Sequence, residues 1–283
     1  MRLRIDLGYD GSGFHGWARQ PGLRTVQDDL ERALDTVLRT SGASLTVAGR
    51  TDTGVNARGQ VAHVDVVTES VLAAAGRSQE PPLDAVCRRL NGLLEADVRI
   101  LRITEAPHGF DARFSAIWRR YAYRIVDRAE NVDPLTRGHV LAWPRPLNLD
   151  AMNAASRALL GEHDFAAFCK KRPGATTIRS LLDLHWERDQ SGVAVGTVRA
   201  DVFCHNMVRS LVGCLVAVGE GRREPTWAVA VLAARTRDPA VKVAPARGLT
   251  LEEVAYPADA DLAARAVESR SIRTLSPAGP TPD

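Results

Sequence analysis

The chain has 283 residues, 45% of them hydrophobic and 25% charged, with a formal net charge of +3. That length fits one large domain or two ordinary ones with a real core, no apolar run approaches the roughly 20 residues that span a membrane, and so small a net charge excludes a generally polycationic surface. The four cysteines (Cys87, Cys169, Cys204 and Cys214) form no CxxC pair and no zinc spacing, and the first five residues lack the apolar core of a signal peptide, so the expectation is a cytoplasmic protein with reduced thiols and an incidental Cys204-His205 adjacency.

Alternation of Leu3, Ile5 and Leu7 with Arg4 and Asp6 predicts an opening strand. Asp10-Gly11-Ser12-Gly13-Phe14-His15-Gly16-Trp17 follows as a glycine-rich loop. Its GxGxxG look is weak as a nucleotide signature, because no helix starts directly after it. Thr25 reads as an N-cap for a helix whose stripe is Val26, Leu30, Ala33, Leu34, Val37 and Leu38. Strands near 44–49 and 60–67 bracket a short turn, a helix covers about 82–95, and a strand runs over 98–103. The order β-α-β-β-α-β is the split βαβ arrangement.

The second half repeats that order without obvious sequence similarity. A strand is expected over 119–126, a helix over 149–160, and strands near 177–188 and 193–203 joined by Asp189-Gln190-Ser191-Gly192. Helices over about 205–218 and 226–235 and a strand near 250–255 follow. The fold class is therefore α+β: two pseudo-symmetric split-βαβ, ferredoxin-like halves with antiparallel sheets and a central cleft. The expected division is 1–106, 107–256 and a proline-rich, disordered tail over 257–283.

The most informative stretch is Gly49-Arg50-Thr51-Asp52-Thr53-Gly54-Val55. An aspartate between two threonines, in a turn between strands, is placed as catalytic groups often are. The simplest structural account is an Asx-turn, in which Asp52 bonds its own backbone. Two other segments change the weighing: Phe110-Asp111-Ala112-Arg113-Phe114-Ser115-Ala116, leading into Arg119-Arg120-Tyr121-Ala122-Tyr123, and Phe203-Cys204-His205-Asn206-Met207-Val208-Arg209-Ser210-Leu211-Val212-Gly213. With Tyr9-Asp10-Gly11-Ser12, Gly16-Trp17 and Thr25-Val26-Gln27, these resemble the tRNA pseudouridine synthase A family from about residue 3 to 256.

The resemblance implies a pseudouridine synthase fold and a homodimer that isomerises uridine to pseudouridine in the anticodon arm of tRNA, with no cofactor, no metal and no membrane. It implies Asp52 as the nucleophile, Arg209 as the cation that keeps it ionised, and Tyr121 as the aromatic residue packed against a flipped-out base. Arg50, Arg58, Lys170, Lys171 and Arg172 are the candidate RNA contacts. Asn56 and Arg58 depart from the family pattern, which commonly has histidine and a small residue there. Tyr123 and His63 read as structural. The alternatives are a catalytically silent RNA-binding protein and an aspartate-based hydrolase or phosphotransferase, for which Asp65 is the nearest second carboxylate.

Overall fold

The computed structural model describes residues 1–77, 79–170, 176–271 and 274. The chain runs through β1 (Arg2–Tyr9), α1 (Val26–Leu38), β2 (Thr46–Val47), β3 (Asn56–Asp65), α2 (Thr68–Ala75), α3 (Pro82–Leu93), β4 (Val98–Glu105) and β5 (Trp118–Val126). It continues through β6 (Leu141–Ala142), α4 (Leu149–Arg157), β7 (Gly161–Asp164), β8 (Ile178–Arg188), β9 (Ala194–Ala200), α5 (Met207–Gly219), α6 (Thr226–Ala234), β10 (Leu249–Ala255) and α7 (Leu262–Glu268). These form two compact units. One comprises Met1–Ala122, Asp133–Leu141 and Ala246–Arg270; the other contains Tyr123–Val132 and Ala142–Pro245.

In the first unit, β1 buries Leu3, Ile5, Leu7 and Tyr9 on one face, as its period of two requires. It pairs antiparallel with both β3 and β4. The order is β4-β1-β3, and β2 lies antiparallel on β3 at Thr46↔His63. That is the strand order of a split βαβ sheet. The edge of β3 is shared, because β10 joins it in parallel at Thr250↔Asn56. Thr25 caps α1, accepting from the Asp28 N–H at 3.4 Å, and Leu30 and Leu34 bury its inner stripe at 1% exposure. On α3 the buried stripe is Ala85, Val86 and Leu90, and Leu93 is exposed.

In the second unit the sheet order is β9-β8-β7, with β8 antiparallel to β9 and β7. The expected turn joins β8 and β9: the Asp189 carboxylate accepts from Ser191 and Val193 N–H, and Gly192 takes φ +78°. Strand β10, which belongs to the first unit, neighbours β5 in the sheet order. Helix α5 buries residues nearly all round, as its apolar sequence requires.

Three differences from the sequence reading stand out. Strand β3 starts at Asn56, so Asn56 and Arg58 lie in a strand rather than in the turn. Part of the tail expected to be disordered is ordered: α7 forms at 262–268, because Leu262 and Ala266, one helical turn apart, bury their side chains. The Ser115 hydroxyl, bonded to Leu262 O at 3.0 Å, fixes its start. The Pro-rich remainder of the tail lies outside the described residues, save residue 274. Finally, Cys169 and Cys204, expected as free thiols, form a disulfide across 35 residues with their Cα atoms 5.7 Å apart. No local spacing announces that pair, since Lys170 N–H to His205 O, at 2.9 Å, brings the two segments alongside each other.

Candidate active site

The Asp52 turn is built from β2, β3 and the glycine-rich loop. Gly16 has φ +91°, and a Cβ there would lie 2.9 Å from Thr51 O and 3.2 Å from the Asp52 carbonyl carbon. Only glycine allows the two backbones to approach so closely in that conformation. Trp17 N–H donates to Thr51 O at 3.0 Å, and Val55 N–H closes the turn on Asp52 O at 3.1 Å. An Asx-turn would draw Gly54 N–H to the Asp52 carboxylate; that N–H instead reaches Phe14 O at 3.3 Å. Backbone bonds hold the turn, and the Asp52 side chain is half-buried.

Below the turn lie neutral polar groups. The Tyr9 hydroxyl is 2.7 Å from Thr51 Oγ1, and Gln60 Nε2 donates both to Tyr9 Oη at 3.1 Å and to Gly49 O at 2.9 Å. Burial pushes the Tyr9 phenol up to about 12, so it is protonated across the ordinary pH range. Arg119 is 6% exposed and donates through Nη2 to Ala48 O at 2.9 Å and Arg113 O at 2.7 Å. It ties the chain entering the Asp52 turn to the Phe110–Ala116 motif.

Tyr121 is buried in the same unit. Its phenol is pushed well above the ordinary tyrosine value, first by burial, then by the neighbouring Tyr9, with Asp52 a smaller cause; Arg119 opposes the shift. The charge of Asp52 therefore reaches a neutral Tyr121. A carboxylate and an unionised phenol are groups suited to nucleophilic attack and to donating or relaying a proton. Asp65 is 2.8 and 2.7 Å from Arg2 Nε and Nη2, which engages the second carboxylate of the hydrolase alternative. His63 Nδ1 accepts from Ala112 N–H at 2.9 Å, and burial holds its pKa down, a structural role. Tyr123 is fully buried and donates to Pro245 O at 2.8 Å.

Arg209 belongs to the second unit, in the first turn of α5. Its Nε donates to Ala244 O at 2.7 Å, and its own carbonyl accepts from Ala244 N–H at 2.9 Å. Gly213, one turn later, permits this: a Cβ there would overlap Lys242 O. Of the candidate RNA contacts, Arg50, Arg58 and Lys170 are exposed; Lys171 and Arg172 lie outside the described residues.

A family model described as tRNA pseudouridine synthase matches residues 155–257. Over 281 residues the chain is 60% identical to the tRNA pseudouridine synthase A of Streptomyces griseus, covering 99% of this chain and 96% of that one. Its identity to the tRNA pseudouridine synthase A of Frankia casuarinae is 58% over 273 residues, with 96% of each covered. For Cutibacterium acnes the figure is 52% over 276 residues, covering 96% of this chain and 95% of the relative. The chain belongs to the tRNA pseudouridine synthase A family. In this member of the tRNA pseudouridine synthase A family, sequence reasoning missed Gln60 and Arg119. The available signals were a glutamine inside an apolar strand and an arginine at an inward position of β5.

Proposed function

We propose that this protein isomerises uridine to pseudouridine in the anticodon arm of tRNA, with Asp52 as the nucleophile. The bond from the sugar to N1 of uracil breaks, one from the same sugar carbon to C5 forms, and the proton leaving C5 is balanced by one gained at N1. Neither oxidant nor hydrolytic water enters the balance. Asp52 attacks the sugar or the base and so holds the two pieces together while the base turns. Tyr121 is assigned the place against the extruded base, and Arg209, by its motif match, the permanent positive charge that favours an ionised carboxylate. Arg50, Arg58 and Lys170 are assigned phosphate contacts.

The observation that carries the reading is near full-length identity to tRNA pseudouridine synthase A proteins. The test is incubation with an unmodified tRNA transcript and base-resolution mapping of pseudouridine. The expected product lies in the anticodon arm and vanishes with Asp52→Asn, while tRNA affinity persists. No pseudouridine from the wild-type protein, or activity of Asp52→Asn within about tenfold of it, would defeat the proposal. The proposed assembly is a cytoplasmic homodimer, and a fully active monomer by light scattering would remove that part alone.

A further inference from the structure

We infer that Gln60, Tyr9 and Thr51 form an ordered hydrogen-bond chain that sets the position of Asp52, making them positioning residues for the reaction. The inference rests on the role of Asp52 proposed above. Its three members are buried, at 0%, 6% and 7% exposure respectively. They come from β3, from the end of β1 and from the turn itself.

The direction of the chain follows from donor chemistry. Gln60 Nε2 faces the carbonyl of Gly49, an obligate acceptor, while Gln60 Oε1 accepts from Val61 N–H at 3.3 Å. That fixes which end of the amide is nitrogen. The second N–H of Nε2 therefore donates to the Tyr9 oxygen, at 3.1 Å. Tyr9, protonated because burial lifts its phenol, has one proton to give. Its remaining partner among the described residues is Thr51 Oγ1, at 2.7 Å. Gln60 thus donates to Tyr9 and Tyr9 to Thr51.

The consequence is mechanical. Gly49 is held by its carbonyl through Gln60, and Thr51 by its hydroxyl through Tyr9 and by its carbonyl through Trp17 N–H. Asp52 is the next residue, so its Cα inherits the position of two strands rather than that of a surface loop. Displacing a reacting group by about 1 Å can cost roughly 100-fold in rate. Binding of tRNA, spread over many phosphate contacts, gains nothing from this chain.

The experiment uses the full-length protein and an unmodified tRNA transcript, with single-turnover rates and tRNA dissociation constants measured separately. Tyr9→Phe keeps the ring and loses the hydroxyl; Thr51→Val keeps the shape and loses the hydroxyl; Thr51→Ser keeps the hydroxyl. Tyr9→Phe and Thr51→Val are expected to slow the chemical step about 10–100-fold with affinity within about twofold, and Thr51→Ser to restore most of the rate. A structural defect alone would not follow the hydroxyl in this way. Rates of Tyr9→Phe and Thr51→Val within about twofold of wild type, a loss confined to affinity, or a Thr51→Ser as slow as Thr51→Val would overturn the inference. Should Thr51→Val fail to fold, Tyr9→Phe decides alone. Amide exchange of Gly54 and Val55 gives an activity-free reading: faster exchange in Tyr9→Phe is expected, and unchanged exchange refutes the pinning. A wild-type protein that makes no pseudouridine sinks the proposed function, while the exchange result still judges the hydrogen-bond chain.

Discussion

Asn56 offers a quantitative test of how the base of the candidate site is held. It stands where the family pattern commonly has histidine. The structure buries it at 4% exposure, at the start of β3. Its Oδ1 accepts from Gly11 N–H at 2.8 Å, and its Nδ2 donates to Gly138 O at 3.3 Å and Arg247 O at 3.1 Å. One amide joins three chain segments. Asn56→Ala deletes three hydrogen bonds at about 1 kcal/mol each and strands a buried N–H, so the expected loss is about 3 kcal/mol, with a range of roughly 2–5. At about 2–4 °C per kcal/mol for domains of about 150–250 residues, Tm should fall by about 6–12 °C. Asn56→Asp should be worse at neutral pH, because an oxygen replaces the nitrogen facing two carbonyls. Burial there raises the new carboxyl's pKa, so the folded state binds the proton more tightly than the unfolded state. The variant's stability should then fall as pH rises above the ordinary aspartate value. Urea unfolding of both variants at acid and neutral pH checks this. A loss below about 1 kcal/mol for Asn56→Ala, or an Asn56→Asp no less stable than Asn56→Ala at neutral pH, refutes the reasoning.

Other tests address separate regions. Asp127 accepts from both terminal nitrogens of Arg188 at 2.8 Å and from Leu147 N–H at 2.7 Å; burial opposes its charge, yet the Arg188 bond and the other contacts hold its pKa down. Its contribution is therefore present above the ordinary aspartate value and lost as pH falls through the folded one. Asp127→Asn should cost about 2–4 kcal/mol at neutral pH, the guanidinium being partly solvated, and flatten the acid limb of the urea-stability profile. Tyr9, Tyr121 and Tyr256 all have raised pKa values through burial, so their protons stabilise the fold below about pH 10 and stability falls as pH climbs beyond it. The slope is about 1.4 kcal/mol per pH unit for each tyrosine until its folded pKa is reached, and Tyr9→Phe should lessen it between pH 10 and 12. In denaturant without reductant, a thiol reagent should find Cys87 and Cys214 alone; four reactive thiols would refute the Cys169–Cys204 pair.

Most elements were legible because their signals are local. The alternation in β1, the stripe and Thr25 cap of α1, and the Asp189–Gly192 turn each depend on residues within a few positions. The features that escaped are those whose cause lies far away in sequence. Helix α2, rich in alanine and short, has little amphipathic signal and forms beside α3. Strand β10 was expected, but its parallel pairing with Asn56 and Ala57 leaves no trace in its own residues. The ordered stretch through α7 was hidden by the composition of the longer tail, and the cysteine pair by its 35-residue separation.

The candidate site divides along the same line. Asp52 was legible as a residue type in a distinctive turn, whereas the groups that constrain it read as unremarkable on their own. A tyrosine closing an apolar alternation looks like core, a glutamine in a strand looks like a solvent-facing position, and Arg119 looks like half of a basic pair. All three are buried, where an unpaired polar group is costly. Each therefore must find a partner, and the partners found here include Gly49, Thr51 and Ala48, all within four residues of Asp52. Buried polarity in a strand is thus the better guide to this site than surface charge. Exposed arginines such as Arg50 and Arg58 are cheap to place anywhere, but Gln60 and Arg119 are stable only where the turn supplies their acceptors. The same bonds that settle those buried side chains also fix the chain entering Asp52, so the stability of the sheet and the geometry of the turn rest on one set of contacts.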